Sequence, residues 1–172
     1  LSQLHQLKLS GMAKALSQQL EQPGQYQDLC FAERLQLLTD QEIHERDNRK
    51  QQRLLKQAQL KLAATAHDID YQHPRGLQKS VMIGLLQCDW LQRQQNLLLT
   101  GPCGTGKTYI ACALANTACL KGYTVKYYRV SRLLMELTQA KADGTYSKKL
   151  KSLAKLNLLI LDDWGLEPLK AA

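Results

Sequence analysis

The sequence lacks the features that mark several large classes of protein. It has no apolar run of the ~20 residues that a membrane-spanning helix requires, no internal repeat and no low-complexity tract. Its five cysteines show neither C-x-x-C spacing nor a histidine pairing suited to zinc. We therefore expect no membrane partner and no zinc module. An odd number of cysteines, one of them inside a glycine-rich loop, fits a reducing, cytoplasmic location.

Acidic residues are in the minority. The chain has 23 Lys and Arg against 15 Asp and Glu, a formal net charge of +8. The excess is concentrated in residues 121–155, which hold nine basic and two acidic side chains. A basic segment of this kind indicates a polyanionic partner such as nucleic acid. For any single lysine, a solvated surface position is the alternative explanation.

A glycine-rich loop at residues 101–108 has the pattern G-x-x-x-x-G-K-T. It follows the apolar residues 96–100, which predict a strand, and precedes a helix-forming stretch. Glycines let the backbone turn its N–H groups toward a phosphate, Lys107 reaches the β- and γ-phosphates, and Thr108 offers a hydroxyl to Mg²⁺. An ordinary glycine-rich turn is the alternative. The candidate nucleotide-binding residues are Gly101, Pro102, Cys103, Gly104, Thr105, Gly106, Lys107, Thr108 and Tyr109.

A second candidate element is an apolar strand that ends in two acids. Residues 157–161 are apolar after the initial Asn, as in a strand covered by helices on both faces of a parallel sheet, and Asp162 and Asp163 follow. Carboxylates at the C-terminal end of such a strand face the ligand crevice. We expect Asp162 to hold Mg²⁺, directly or through water, and Asp163 to orient or deprotonate the attacking water. The catalytic candidates are thus Lys107, Asp162 and Asp163; taken alone, the two acids also fit a solvated turn.

The rest of the chain predicts helices followed by an α/β region. Thr39 and Glu42 have the spacing of a capping box, which predicts the start of a long helix that runs to about Ala64. Four basic residues fall within one arc of this helix, either as a solvated face or as phosphate contacts: Arg46, Arg49, Lys50 and Arg53. The later strand–helix alternation indicates a parallel α/β sheet. We expect a helical domain over residues 1–68 and a nucleotide-binding domain over 69–172.

Taken together, the motifs resemble those of IstB-like ATPases, the AAA+ transposition helpers of insertion sequences, which are related to DnaC helicase loaders. The resemblance covers essentially the whole chain. It includes the apolar segment and loop at 97–108, the run ending in Asp-Asp-Trp-Gly at 158–165, and the shorter segments at 31–35, 47–50, 68–71, 74–77, 132–134 and 143–146.

The resemblance implies an ATP hydrolase with an AAA+ core, a Mg²⁺ cofactor and a helical N-terminal domain that binds DNA. It further implies a homo-oligomer that assembles on duplex DNA, deforms it and recruits a transposase. We expect the DNA contacts to come from Arg46, Arg49, Lys50, Arg53, Arg75, Arg132 and Lys141. The family's further strands, polar sensor and arginine finger are expected beyond Ala172. A helicase loader and a DNA-binding regulator that binds ATP without hydrolysing it are the two alternatives.

Overall fold

The computed structural model describes residues 1–72 and 76–165. Eight α-helices and two strands follow one another in these ranges: α1 (Ser2–Gln6), α2 (Ser10–Glu21), α3 (Phe31–Ala58), α4 (Lys79–Leu86), α5 (Asp89–Gln92), α6 (Lys107–Leu120), β1 (Val125–Arg129), α7 (Val130–Ala142), α8 (Tyr146–Ala154) and β2 (Leu158–Asp162). A short 3₁₀ turn, Pro23–Tyr26, follows α2. Across the same two ranges, no helix has both the length and the apolar character needed to cross a bilayer.

The chain forms two compact units, Leu1–Gln52 and Arg53–Ala172. Their boundary lies inside α3, earlier in the chain than the division at 68/69 expected from the sequence. Unit 1 is helical in the structure, and both strands belong to unit 2. DNA binding by the N-terminal part stays a prediction.

A buried carboxylate organises unit 1. Glu42, on α3, is 5% exposed, and its Oε2 accepts the N–H groups of Gly11 and Met12 at 2.7 and 3.2 Å. These two donors lie in the first turn of α2, where N–H groups have no partner within the helix. Arg46 donates its Nε–H to Glu42 Oε1 at 2.7 Å. Burial alone would raise the pKa of Glu42, but the bonds from Arg46 and α2 hold it below the ordinary value.

The predicted helix start at Thr39 is wrong. Helix α3 begins at Phe31 and continues through Thr39, whose hydroxyl donates to the Gln36 carbonyl at 2.8 Å. The carboxylate of Glu42 is bound to α2, so it does not cap the N–H of residue 39. The N–H just before α3, that of Cys30, is instead capped by Glu33 at 2.7 Å.

Unit 2 contains a parallel sheet of β1 and β2, whose register runs from Val125 opposite Leu158 to Arg129 opposite Asp162. Helices α7 and α8 connect the two strands. The sheet packs against α6, whose Cys112 and Cys119 are fully buried. Because the strands are parallel, Asp162 and Arg129 lie together at their C-terminal edge. The α/β character of this part is therefore confirmed.

The strand predicted at residues 96–100 is not formed within the part of the chain that the structure describes. Leu99 packs against the core beside α6, whereas Leu98 is 83% exposed. A strand exists only where another strand accepts its backbone hydrogen bonds, and β1 and β2 pair only with each other in these ranges. The apolar composition of this segment is therefore not sufficient to make it part of the sheet.

A substitution at Gly11 tests how closely α2 packs on α3. A Cβ built at Gly11 would lie 2.7 Å from both the Gln41 carbonyl oxygen and the Glu42 Cα. We expect Gly11→Ala to lower the free energy of unfolding by about 1–2 kcal/mol, because overpacking outweighs the gain in helix propensity. Urea denaturation measures the change.

Gly24→Ala is the matched control, since a Cβ there meets no atom within 4 Å. This variant should keep the wild-type stability or gain slightly. Equal stability of the two alanine variants would contradict the close contact between the helices.

Candidate functional site

The glycine-rich loop leads directly into α6. Gly104 and Gly106 have φ of 82° and 84°, a conformation that disfavours residues with a Cβ. Gly106 is the N-cap of α6, a helix of 14 residues. The N–H groups of the first turn, which have no partner within the helix, and the positive end of the helix dipole therefore lie at the loop. This arrangement is suited to a phosphate group.

Lys107 folds back over the loop in this structure. Its Nζ donates hydrogen bonds to the carbonyls of Gly101 and Pro102 at 2.8 and 2.7 Å. The Pro102 carbonyl also accepts the hydroxyl of Thr105 at 3.0 Å. The ammonium group is therefore held at the loop itself, and it must exchange these carbonyls for the oxygens of an incoming phosphate.

The end of β2 meets the start of α6 at Asp162. The hydroxyls of Thr108 and Tyr127 donate to Asp162 Oδ2 at 2.9 and 2.5 Å, and the N–H of Asp163 donates to Oδ1 at 3.0 Å. Burial alone would raise the pKa of Asp162, but the bonds from Tyr127 and Thr108 hold it below the ordinary value. The carboxylate is therefore ionised at neutral pH. The structure thus brings together Thr108 and Asp162, which are 54 residues apart in the sequence.

The donor atoms at this point fit a magnesium ion. Mg²⁺ prefers oxygen ligands in an octahedron at ~2.0–2.1 Å, and neighbouring ligands of such an octahedron are then ~2.9 Å apart. The Thr108 hydroxyl and the Asp162 carboxylate oxygen are 2.9 Å apart. Both are hard oxygen donors, and the carboxylate supplies the negative charge. The two residues therefore suit adjacent positions around the cation.

Asp163 follows in an uncommon backbone conformation. Its φ is 59°, in the left-handed region that few residues other than glycine adopt. Its Oδ2 lies 3.5 Å from Nε of Arg129, the last residue of β1. The carboxylate predicted to act on water is therefore directed toward a cation on the neighbouring strand. Backbone strain of this kind is concentrated at functional sites.

Two residues at the site were missed by the sequence analysis. Tyr127, on β1, binds Asp162 directly, and Lys61, beyond the end of α3, places its Nζ 3.8 Å from the same carboxylate oxygen. The strand around Tyr127 was predictable, but which of the two adjacent tyrosines faces Asp162 was not. No sequence pattern connects Lys61 with residues that follow it by a hundred positions.

The other predicted site residues differ in their burial and in their contacts. Tyr109 packs its side chain against the core, whereas Cys103 is exposed in the loop. In unit 1, Arg46 is bound to Glu42, and Arg49 donates to the Glu45 carbonyl at 3.3 Å. Lys50 is exposed.

Three of the remaining DNA-contact candidates, Arg53, Arg132 and Lys141, lie in the described part of unit 2. Arg53 is exposed on the last turns of α3. On α7, Arg132 pairs with Glu136 at 3.4 Å, and Lys141 lies 5.5 Å from the centre of the Tyr146 ring. Arg75 lies outside the described residues.

The family model described as IstB-like ATP binding protein matches residues 2–172. The chain belongs to this family. It is 48% identical over 171 residues to an insertion sequence IS1162 ATP-binding protein from Pseudomonas fluorescens, covering 99% of this chain and 74% of that protein. It is 41% identical to the insertion-sequence ATP-binding protein y4pL of Sinorhizobium fredii, covering 98% and 69%. An insertion-sequence ATP-binding protein of Mycobacterium tuberculosis is 33% identical, covering 95% and 64%. The resemblance inferred from the motifs is therefore confirmed.

Membership of the IstB-like ATP-binding family agrees with the geometry at residues 101–108 and 162. The family description supports ATP as the ligand of the loop. The relatives place chains of this kind in insertion sequences.

Thr108 provides a direct test of the cation site. We expect Thr108→Val to lower the ATP affinity measured in Mg²⁺ by about tenfold, so that most of the Mg²⁺-dependent part of the affinity is lost. Valine keeps the shape of threonine but removes an oxygen ligand. Titration calorimetry with ATP in Mg²⁺ and in EDTA measures the two contributions.

Thr117→Val on the same helix is the control, because the Thr117 hydroxyl donates only to the Ala113 carbonyl, one turn earlier. The control should keep the full Mg²⁺ dependence. An unchanged response in Thr108→Val would show that its hydroxyl does not bind the cation.

Proposed function

We propose that this chain is an ATP-dependent DNA-binding AAA+ helper of transposition. In this proposal it hydrolyses ATP, assembles as a homo-oligomer on duplex target DNA, deforms that DNA and recruits a transposase. The contact that carries the proposal is the hydrogen bond between Thr108 and Asp162, because it joins the glycine-rich loop to the acidic end of β2. The insertion-sequence context of the relatives supports the role in transposition.

In this proposal, the loop, the start of α6 and the end of β2 each bind a different part of the nucleotide and its cation. The N–H groups at the start of α6 and the Lys107 ammonium bind the β- and γ-phosphates. Thr108 and Asp162 hold Mg²⁺, which when bound neutralises charge on the phosphate oxygens. In hydrolysis, a water oxygen attacks the γ-phosphorus and the bond from that phosphorus to the bridging oxygen breaks, which gives ADP and phosphate. Asp163 accepts the proton of the attacking water.

The ion pair between Asp163 and Arg129 constrains how Asp163 can act in hydrolysis. The pair with Arg129 sets the position of the Asp163 carboxylate and occupies its Oδ2. Hydrolysis therefore requires Asp163 to turn from Arg129 toward the water. We propose that oligomer assembly, DNA and the partner protein favour this change.

The basic face of α3 is the proposed DNA contact in unit 1. Arg46 already neutralises Glu42, so it has less charge to offer to a phosphate. Arg49, which is also 3.6 Å from Glu42, and Lys50 are exposed. Contacts of these two side chains to backbone phosphates would position the protein on the duplex without reading the bases.

Lys107→Ala tests the link between ATP and DNA. Because a hydrogen bond from a charged group contributes about 1.5–3 kcal/mol, we expect ATP affinity to fall about 10- to 100-fold and the stimulation of DNA binding by ATP to disappear. Calorimetry and fluorescence anisotropy with labelled duplex DNA measure the two effects. Lys14→Ala, which removes the same charge from an exposed position in unit 1, should retain both. Unchanged nucleotide affinity in Lys107→Ala would show that the loop is misassigned.

Salt dependence tests the DNA contact of α3. Replacing Arg49 and Lys50 by Ala should weaken DNA binding at low salt and reduce the slope of log K against log salt by about 0.9 for each lost phosphate contact. The control variant carries alanine at Lys8 and Lys14, two exposed lysines elsewhere in unit 1. It should keep the wild-type slope. If both double variants have the same slope, this face of α3 does not contact phosphate.

A further inference from the structure

The Asp162 carboxylate is held on both of its oxygens. Oδ2 accepts the hydroxyls of Tyr127 and Thr108, and Oδ1 accepts the N–H of Asp163. Of these three donors, Thr108 belongs to the glycine-rich motif and Asp163 to the acidic pair. Tyr127 belongs to neither motif, and it reaches Asp162 from the neighbouring strand. Its role in the site is therefore not explained by the two sequence motifs.

The position of the Tyr127 hydroxyl is set by the core of unit 2. Tyr127 is 8% exposed and lies in the buried cluster that includes Ile110 and Cys112 of α6. On β1 it stands opposite Ile160 of β2 in the parallel register. Side chains in such a core are close-packed and have little freedom to shift. The ring therefore presents its hydroxyl to Asp162 at a nearly fixed point.

This fixed point matters because Mg²⁺ tolerates little departure from octahedral geometry. An Asp side chain can rotate about its last bond and so move its oxygens relative to Thr108. The hydrogen bond from Tyr127 to Oδ2 opposes that rotation and keeps the oxygen 2.9 Å from the Thr108 hydroxyl. Groups that orient a metal-binding carboxylate in this way commonly change metal affinity 10- to 100-fold.

We propose that Tyr127 is a positioning residue for the divalent cation, an inference that rests on the nucleotide function proposed above. Tyr127 acts through Asp162 and touches neither the cation nor the nucleotide. A purely structural tyrosine would satisfy its own buried hydroxyl with Asp162, and its loss would change stability alone. Cation affinity distinguishes the two roles.

The test is Tyr127→Phe in the full chain, which keeps the ring in the core and removes the hydroxyl. Mn²⁺ is the probe, and its binding is followed by electron paramagnetic resonance in the presence of saturating ADP. We expect the Mn²⁺ affinity to fall about tenfold. The affinity for ADP measured in EDTA should stay the same, because Tyr127 orients only the carboxylate. A thermal melt followed by circular dichroism confirms that the variant is folded.

Tyr128→Phe is a closely matched control. Tyr128 is the next residue of β1, is also 8% exposed, and its side chain points to the opposite face of the sheet. Its hydroxyl accepts a hydrogen bond from Lys149 Nζ at 3.1 Å. This variant should bind Mn²⁺ as the wild type does, even if it loses similar stability.

The possible outcomes separate the two proposals. Unchanged Mn²⁺ affinity in Tyr127→Phe, or an equal loss in both phenylalanine variants, would overturn the positioning role. Failure of the wild-type chain to bind ADP would overturn the nucleotide function itself. A selective loss in Tyr127→Phe, with ADP binding in EDTA retained, supports both.

Discussion

The candidate nucleotide site depends on one carboxylate, that of Asp162. It lies at the end of β2, where it accepts hydrogen bonds from the start of α6, from the middle of β1 and from the N–H of Asp163, the residue just after β2. A partly buried, ionised carboxylate needs such donors, because burial without them favours the neutral acid. Packing of the sheet against α6 supplies the donors at fixed positions. The same contacts that satisfy Asp162 therefore also bring it to the glycine-rich loop.

Unit 1 uses a carboxylate for a different purpose. Glu42 accepts two N–H groups from the first turn of α2 and pairs with Arg46, so its hydrogen-bonding capacity is used within the fold. Asp162 is instead bound to a hydroxyl, that of Thr108, which is itself a good ligand for a cation. The kind of donor explains the difference. A carboxylate bound to backbone N–H groups fixes a helix, whereas one beside a second oxygen ligand can hold a metal ion.

Local sequence patterns were sufficient to predict the glycine-rich loop, the acidic end of β2 and the α/β alternation. Each of these depends on residues that are close together in the chain, such as Gly106 with Lys107 or Asp162 with the strand before it. The failures all involve distant partners. Glu42 fits a capping box with Thr39, but its carboxylate is taken by Gly11 and Met12. Residues 96–100 have the composition of a strand, but pairing depends on a neighbour that composition does not specify.

The charged groups of the site are paired within the chain in this structure. Lys107 donates to two loop carbonyls, Asp163 lies beside Arg129, and Asp162 has Lys61 at 3.8 Å. A nucleotide with its cation must therefore replace existing contacts, so the net gain on binding is a difference between two sets of interactions. Each exchange moves a side chain attached to a different segment: the start of α6, the end of β1 or the residues after α3. Ligand binding is thus coupled to the surrounding fold through these three segments.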